Sequence, residues 1–116
     1  MAYRSFEELD VWKRACTLAI RVCHLLNGCR DYAFKDQMSR SALSIASNIA
    51  EGAERDSKAE FVRFLRIAKG SAAELRTQLY IAAEARVIQT AASKELIQEA
   101  KELSSMMHGL IKSIKR

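Results

Sequence analysis

A chain of 116 residues holds one hydrophobic core and is too short for two ordinary domains. With 49% hydrophobic and 28% charged residues, its composition is globular and not disordered. The formal charge of +5 permits an acidic partner such as RNA or DNA without demanding one, because clustering rather than total charge marks a nucleic-acid surface. No apolar run approaches the ~20 residues that span a bilayer, so no membrane association is expected. The stretch from Met1 to Asp10 is mixed in charge and lacks the apolar core of a signal peptide. Cys16, Cys23 and Cys29 have no framework spacing, which excludes a secreted disulfide scaffold and makes the cytoplasm the expected location. Proline is absent, so nothing interrupts long helices.

The first helix is announced by Ser5-Phe6-Glu7-Glu8, a capping box in which Ser5 and Glu8 each satisfy a backbone N–H of the other. At 100° per residue, Leu9, Trp12, Cys16, Ala19, Cys23 and Leu26 share a face, with Arg14, Thr17 and Arg21 opposite. Asn27-Gly28 ends the run. The second helix begins between Asp31 and Asp36 and presents Met38, Ala42, Ile45, Ile49 and Ala53 to the core. Its many small residues let a neighbouring helix approach closely, which places it centrally. The third helix opens on a second capping box, Ser57-Lys58-Ala59-Glu60, and carries a core stripe of Phe61, Phe64, Leu65, Ala68, Ala72, Leu75, Leu79 and Ala82. The fourth follows a turn around Gln89 to Ser93. Its seam of Leu96, Ala100, Leu103, Met107, Leu110 and Ile114 steps by four and three, and its terminal Lys112, Lys115 and Arg116 complement the helix dipole. Helices at about 6–27, 34–55, 58–86 and 94–114, joined by short turns, predict an all-α, up-and-down antiparallel four-helix bundle as one domain over residues 1–116.

Chemistry is scarce in this pattern. A di-iron bundle needs paired Glu-x-x-His steps, but Arg21 stands three residues before His24 and Ser105 three before His108. The cysteines form no C-x-x-C and read as small core residues. No nucleophile elbow or phosphate-cradling glycine loop occurs. Gly52, Gly70 and Gly109 sit isolated within helical pattern and suggest close helix contacts. The expectation is no catalytic residue, no metal and no cofactor.

Three constellations remain. Arg40, Ser44, Asn48, Glu51 and Arg55 form a polar stripe on the second helix, read as a hydrogen-bonded network fixing register or a subunit interface, with phosphate or peptide recognition as the alternative. Arg66, Lys69 and Arg76 fall within an arc of about 80° on the third helix, with Arg63 adjoining. They form either a solvated face or a stripe that tracks a nucleic-acid backbone. Only Tyr80 stands near them, so base stacking is not indicated. Val62, Ile67, Tyr80 and Ile81 lie off the core stripe and suggest a subunit contact.

The run Gln37-Met38-Ser39-Arg40-Ser41-Ala42-Leu43-Ser44-Ile45-Ala46-Ser47-Asn48-Ile49-Ala50-Glu51-Gly52 resembles the signature of the proteins encoded in 23S rRNA intervening sequences. Phe6, Leu9, Val11 and Trp12 match near the start, as do Phe64-Leu65, Ile67-Ala68-Lys69-Gly70-Ser71 and Glu74-Leu75 on the third helix. That family often has one proline before the second helix and another at the position of Ala46; this chain has neither. The resemblance implies a small bacterial four-helix bundle that assembles as a homopentamer, with no catalytic residues to carry over. A related group serves diversity-generating retroelements as accessory proteins, pentameric and basic, binding nucleic acid and a reverse transcriptase. The functional expectation is therefore a non-enzymatic homo-oligomer that binds RNA or DNA through a basic surface. The alternative is an oligomeric scaffold or adaptor for another protein, with no nucleic-acid role.

Overall fold

The computed structural model describes residues 5–116; residues 1–4, part of the stretch read above against a signal peptide, lie outside the described residues. Helices occupy Asp10–Leu26 (α1), Tyr32–Glu54 (α2), Lys58–Glu84 (α3) and Thr90–Lys115 (α4). Each helix packs on its two neighbours, α1 on α2, α2 on α3, α3 on α4 and α4 back on α1, in an up-and-down bundle of 44 × 19 × 19 Å. No described helix is long and apolar enough to cross a membrane.

The Ser5–Glu8 capping box forms, but it closes a separate 3-10 turn, Phe6–Glu8. The chain then extends at Leu9, and α1 starts at Asp10 without a side-chain cap. Phe6 packs edge-on against Trp12, ring centroids 5.2 Å apart, so the turn folds onto the helix it precedes. The buried face of α1 is Val11, Ala15, Leu18, Ala19, Val22 and Leu26, rotated from the expected one. Cys16 and Trp12 move to its edge and Cys23 to solvent. Val11, Leu18 and Val22 make the stronger apolar stripe, and the flanking residues yield to it. Partial burial pushes the Cys16 thiol pKa up, as expected for an inert thiol.

Along α2, Met38, Ala42, Ile45 and Ile49 are fully buried, while Ala53 is only partly so. On α3 all eight expected stripe residues from Phe61 to Ala82 are buried. On α4 Leu96, Ala100, Leu103, Met107 and Ile114 are buried, joined by Ile97 and Ile111, and Leu110 is half-buried. The helix begins at Thr90, so the segment expected as a turn is its first turn. Ser93, inside that segment, is buried and donates its Oγ proton to the Leu79 carbonyl at 2.8 Å, tying α4 to α3. Two residues take left-handed backbone: Gly28 after α1 (φ 83°) and Arg86 after α3 (φ 62°). Arg86 closes a Schellman-type end, in which the Val87 N–H reaches the Ala82 carbonyl at 2.8 Å and the Arg86 N–H reaches Ala83 at 3.1 Å.

The expected close helix contact occurs at Gly52 alone. A Cβ there would stand 2.5 Å from the Phe64 Cβ, whereas Gly70 and Gly109 face open space. The two classes of glycine predict opposite responses. Gly52→Ala should lower unfolding stability by about 1–3 kcal/mol through overpacking. Gly70→Ala should raise it by up to about 1 kcal/mol through helix propensity. Urea denaturation followed by circular dichroism reads both.

Candidate nucleic-acid interface

Helix α4 divides its charges between its two edges. Glu95, Glu99 and Glu102 lie on the edge beside α1, and there they meet arginines. Arg14 Nη2 donates to Glu99 at 2.8 Å and to Glu102 at 2.9 Å, and Arg21 approaches Glu95 at 3.5 Å. Arg14 and Arg21, expected opposite the apolar face of α1, bridge α1 to α4. Their long side chains cross the boundary between α1 and α4, the thinnest of the four helix–helix contacts. The hydrogen bond from Arg14 holds the Glu102 carboxyl below its ordinary value, and the bond to Glu99 raises the Arg14 guanidinium.

The other edge of α4 is basic. Lys94, Lys101, His108 and Lys115 recur every seven residues, and Lys112 lies four beyond His108. At the helical twist these share one edge. The Lys69 Nζ of α3 lies 3.4 Å from His108 Nδ1, which shows that this edge adjoins α3. Arg66, Lys69 and Arg76 of α3 therefore join the α4 lysines on one α3–α4 face. Among the described residues, none of Arg66, Lys69, Arg76, Lys94, Lys101, Lys112 or Lys115 forms an ion pair. The acidic groups of α4 are neutralised on one side while its cations stay uncommitted on the other.

Arg63 departs from the expected set. Its guanidinium pairs with Glu60 at 2.8 Å and lies over the Phe64 ring, 4.5 Å from the centroid. Arg55 approaches the same ring at 5.1 Å. Phe64 is thus buried between the glycine of α2 and two guanidiniums, apart from the main core. The bond from Arg63 lowers the Glu60 carboxyl pKa, as expected of a committed pair. Val62 also departs, being buried in the core cluster against the end of α4. Ile67, Tyr80 and Ile81 are exposed, at 41%, 54% and 52%.

The polar stripe on α2 separates into parts. Arg40 pairs with Asp36 and Arg55 with Glu51, both as exposed i, i+4 pairs. Ser44 and Asn48 instead join a seam with α3. Asn48 Nδ2 donates to the Ser44 carbonyl at 2.8 Å and to Ser44 Oγ at 2.9 Å, and Ser44 Oγ lies 2.9 Å from Ser71 Oγ. One turn away, Ser41 Oγ donates to Glu74 at 3.1 Å. Ser41, Ser71 and Glu74 enter the sequence reading only through the family resemblance, with no pairing assigned to them. Their partners stand on another helix, and only the register between helices pairs them. Lys94 and Lys101, which the sequence reading passes over, carry a signal in their seven-residue spacing with Lys115.

Among the described residues no group of three or more His, Cys, Asp or Glu could hold a metal ion. The family model described as 23S rRNA-intervening sequence protein matches residues 7–109. This chain belongs to that family. A solved structure of a protein of unknown function from the S23 ribosomal protein family of Bacteroides thetaiotaomicron VPI-5482 is 24% identical, with a TM-score of 0.82, covering 88% of this chain and 98% of that one. At that identity the likeness shows the fold. No curated protein matches the chain.

The Arg14 clamp predicts an acid dependence for this family member. Because the folded Glu102 pKa is depressed, its contribution to stability is present above the ordinary value of 4.5 and is lost as pH falls through the lower folded value. Urea midpoints measured across a pH series should fall in that acid range, and Arg14→Gln should flatten the fall. An unchanged slope would show that the clamp contributes nothing.

Proposed function

We propose that this chain is a non-enzymatic, homo-oligomeric protein that binds the phosphate backbone of nucleic acid along its α3–α4 face. The observation carrying this reading is the division of charge on α4. Carboxylates are paired with α1 arginines on one edge, and unpaired lysines stand beside Arg66, Lys69 and Arg76 on the other. A run of uncommitted cations along two adjacent helices suits a polyanion, whose condensed counterions are released on binding. The described residues supply no metal cluster, and the sequence holds no nucleophile motif, so a binding role fits better than a catalytic one.

Self-association, pentameric by the family resemblance, draws support from the α2–α3 edge. Ile81 lines a cleft of about 230 Å³ there with Ala33, Phe34, Gln37 and Gln78. Gln78 Oε1 is buried with no hydrogen-bond partner. A second subunit offering an apolar side chain and a donor would satisfy both features. This edge and the basic face lie on opposite sides of α3, so assembly leaves the cations open.

A second reading, an adaptor for another protein such as a reverse transcriptase, is favoured by the exposed Ile20, Tyr32 and Leu43 on the α1–α2 side. A protein partner recovered after nuclease treatment would support it.

Two measurements test the main reading. Labelled RNA or DNA should bind at about 50 mM salt and lose on the order of a thousand-fold in affinity by about 200 mM. Arg66→Glu, Lys69→Glu and Arg76→Glu together should abolish binding with helicity intact, while Arg30→Glu on the α1–α2 turn should change it little. No binding at low salt refutes the reading. Sedimentation should show an oligomer that Ile67→Asp with Ile81→Asp dissociates; a parent monomer at micromolar concentration would exclude self-association.

A further inference from the structure

The basic face ends in a feature that a simple charged stripe does not need. Between the first turns of α3 and the last turn of α4 lies a cleft of about 300 Å³, lined by Lys58, Ala59, Val62, Arg66, Ile114 and Lys115. Val62 and Ile114 form an apolar floor, 7% and 4% exposed, and Ala59 adds a methyl group at the rim. Lys58, Arg66 and Lys115 are exposed around it. No carboxylate lines the cleft, and none of the three cations forms an ion pair among the described residues.

An apolar floor under a cationic rim fits a group that is flat and apolar in its body and anionic on both sides. An isolated inorganic phosphate would use the cationic rim alone and leave uncovered the edges of Val62 and Ile114 that face the cleft, the rest of each side chain being buried in the core. A paired duplex would do the same, since its bases are stacked inside and only phosphates reach outwards. An unpaired nucleotide answers both parts, placing a base on the aliphatic floor and flanking phosphates on the cations. The volume falls at the small end of ligand sites, which suits one nucleotide and not several. The strand would continue over Lys69 and Lys112, which lie next along the two helices.

We propose that this cleft holds one unpaired nucleotide of a single strand, its base on Val62 and Ile114 and its adjacent phosphates on Lys58, Arg66 and Lys115. The proposal rests on the nucleic-acid reading above, and gives the basic face a preference for single-stranded segments over blunt duplex.

Ala59→Gln is the informative change. The side chain is exposed in the first turn of α3, where glutamine is well tolerated, and it fills the cleft without altering charge. Ala73→Gln, exposed on the same helix outside the cleft, is the control. Fluorescence anisotropy of the full chain would use a labelled 12-nucleotide single strand, as RNA and as DNA, a blunt duplex of the same length, and the single strand with abasic positions. The single strand should bind about ten-fold more tightly than the duplex, and abasic positions should remove that margin. Ala59→Gln should remove it too, with duplex affinity unchanged, and Ala73→Gln should preserve it. Equal single-strand and duplex binding by the parent chain, or an equal loss on both with Ala59→Gln, would overturn the cleft proposal and leave backbone binding standing. No binding to any probe at low salt would overturn both. An equal margin for the RNA and DNA strands that abasic positions remove in both supports base contact; a margin confined to RNA that survives abasic substitution would refute it.

Discussion

The close approach of α2 to α3 is the constraint on which the remaining geometry depends. Gly52 admits the Phe64 side chain where any Cβ would collide with it, and Ser41, Ser44 and Ser71 keep the same boundary narrow. Small residues give up apolar area, so this boundary is held partly by shape and partly by the Ser41–Glu74 and Ser44–Ser71 hydrogen bonds. Those bonds also fix register. A sliding α3 would break them and drive Phe64 into the α2 backbone. Because α3 cannot slide, the cations on its far edge have defined positions relative to α4.

The opposite boundary, α1 with α4, is organised differently. Contact there is thin, and Arg14 spans it with one guanidinium nitrogen, Nη2, that donates to two carboxylates one turn apart. These groups are partly exposed, so the clamp contributes modestly to stability. Its larger consequence is electrostatic. Glu99 and Glu102 sit on the same helix as Lys101, well inside the ~10 Å over which charges act at moderate salt. Left unpaired, they would weaken the field of the basic edge.

Much of this fold is readable from the pattern of apolar residues. The eight-residue stripe of α3 is buried as its periodicity predicts, because it outweighs the four off-stripe apolar residues of that helix. On α1 two stripes compete, and Val11, Leu18 and Val22 win over Cys16 and Cys23 by greater apolar area. The site is less readable. Arg63 falls near the basic stripe in angle, yet Glu60 three residues earlier captures it and Phe64 beneath it holds it there. Val62 falls off the stripe in angle, yet the end of α4 covers it, a fact about helix length and crossing that no single-helix projection contains. The pairing of Ser71 with Ser44 likewise requires the register between two helices.

The same reasoning explains why α4 contributes to the basic face as much as α3 does. A heptad seam places every seventh residue on one edge, so cations at Lys94, Lys101 and Lys115 form a line as a direct consequence of the repeat that packs the core. Lysines at a helix C-terminus are ordinarily explained by the helix dipole, and Lys112 and Lys115 would satisfy that account alone. Lys94 and Lys101 would not, since Lys94 stands in the first half of α4, where a cation gains nothing from the dipole. Dipole compensation therefore cannot be the whole reason for the line. What Lys94 shares with Lys101, Lys112 and Lys115 is the edge beside α3, and that edge is where Arg66, Lys69 and Arg76 also lie, without ion pairs among the described residues.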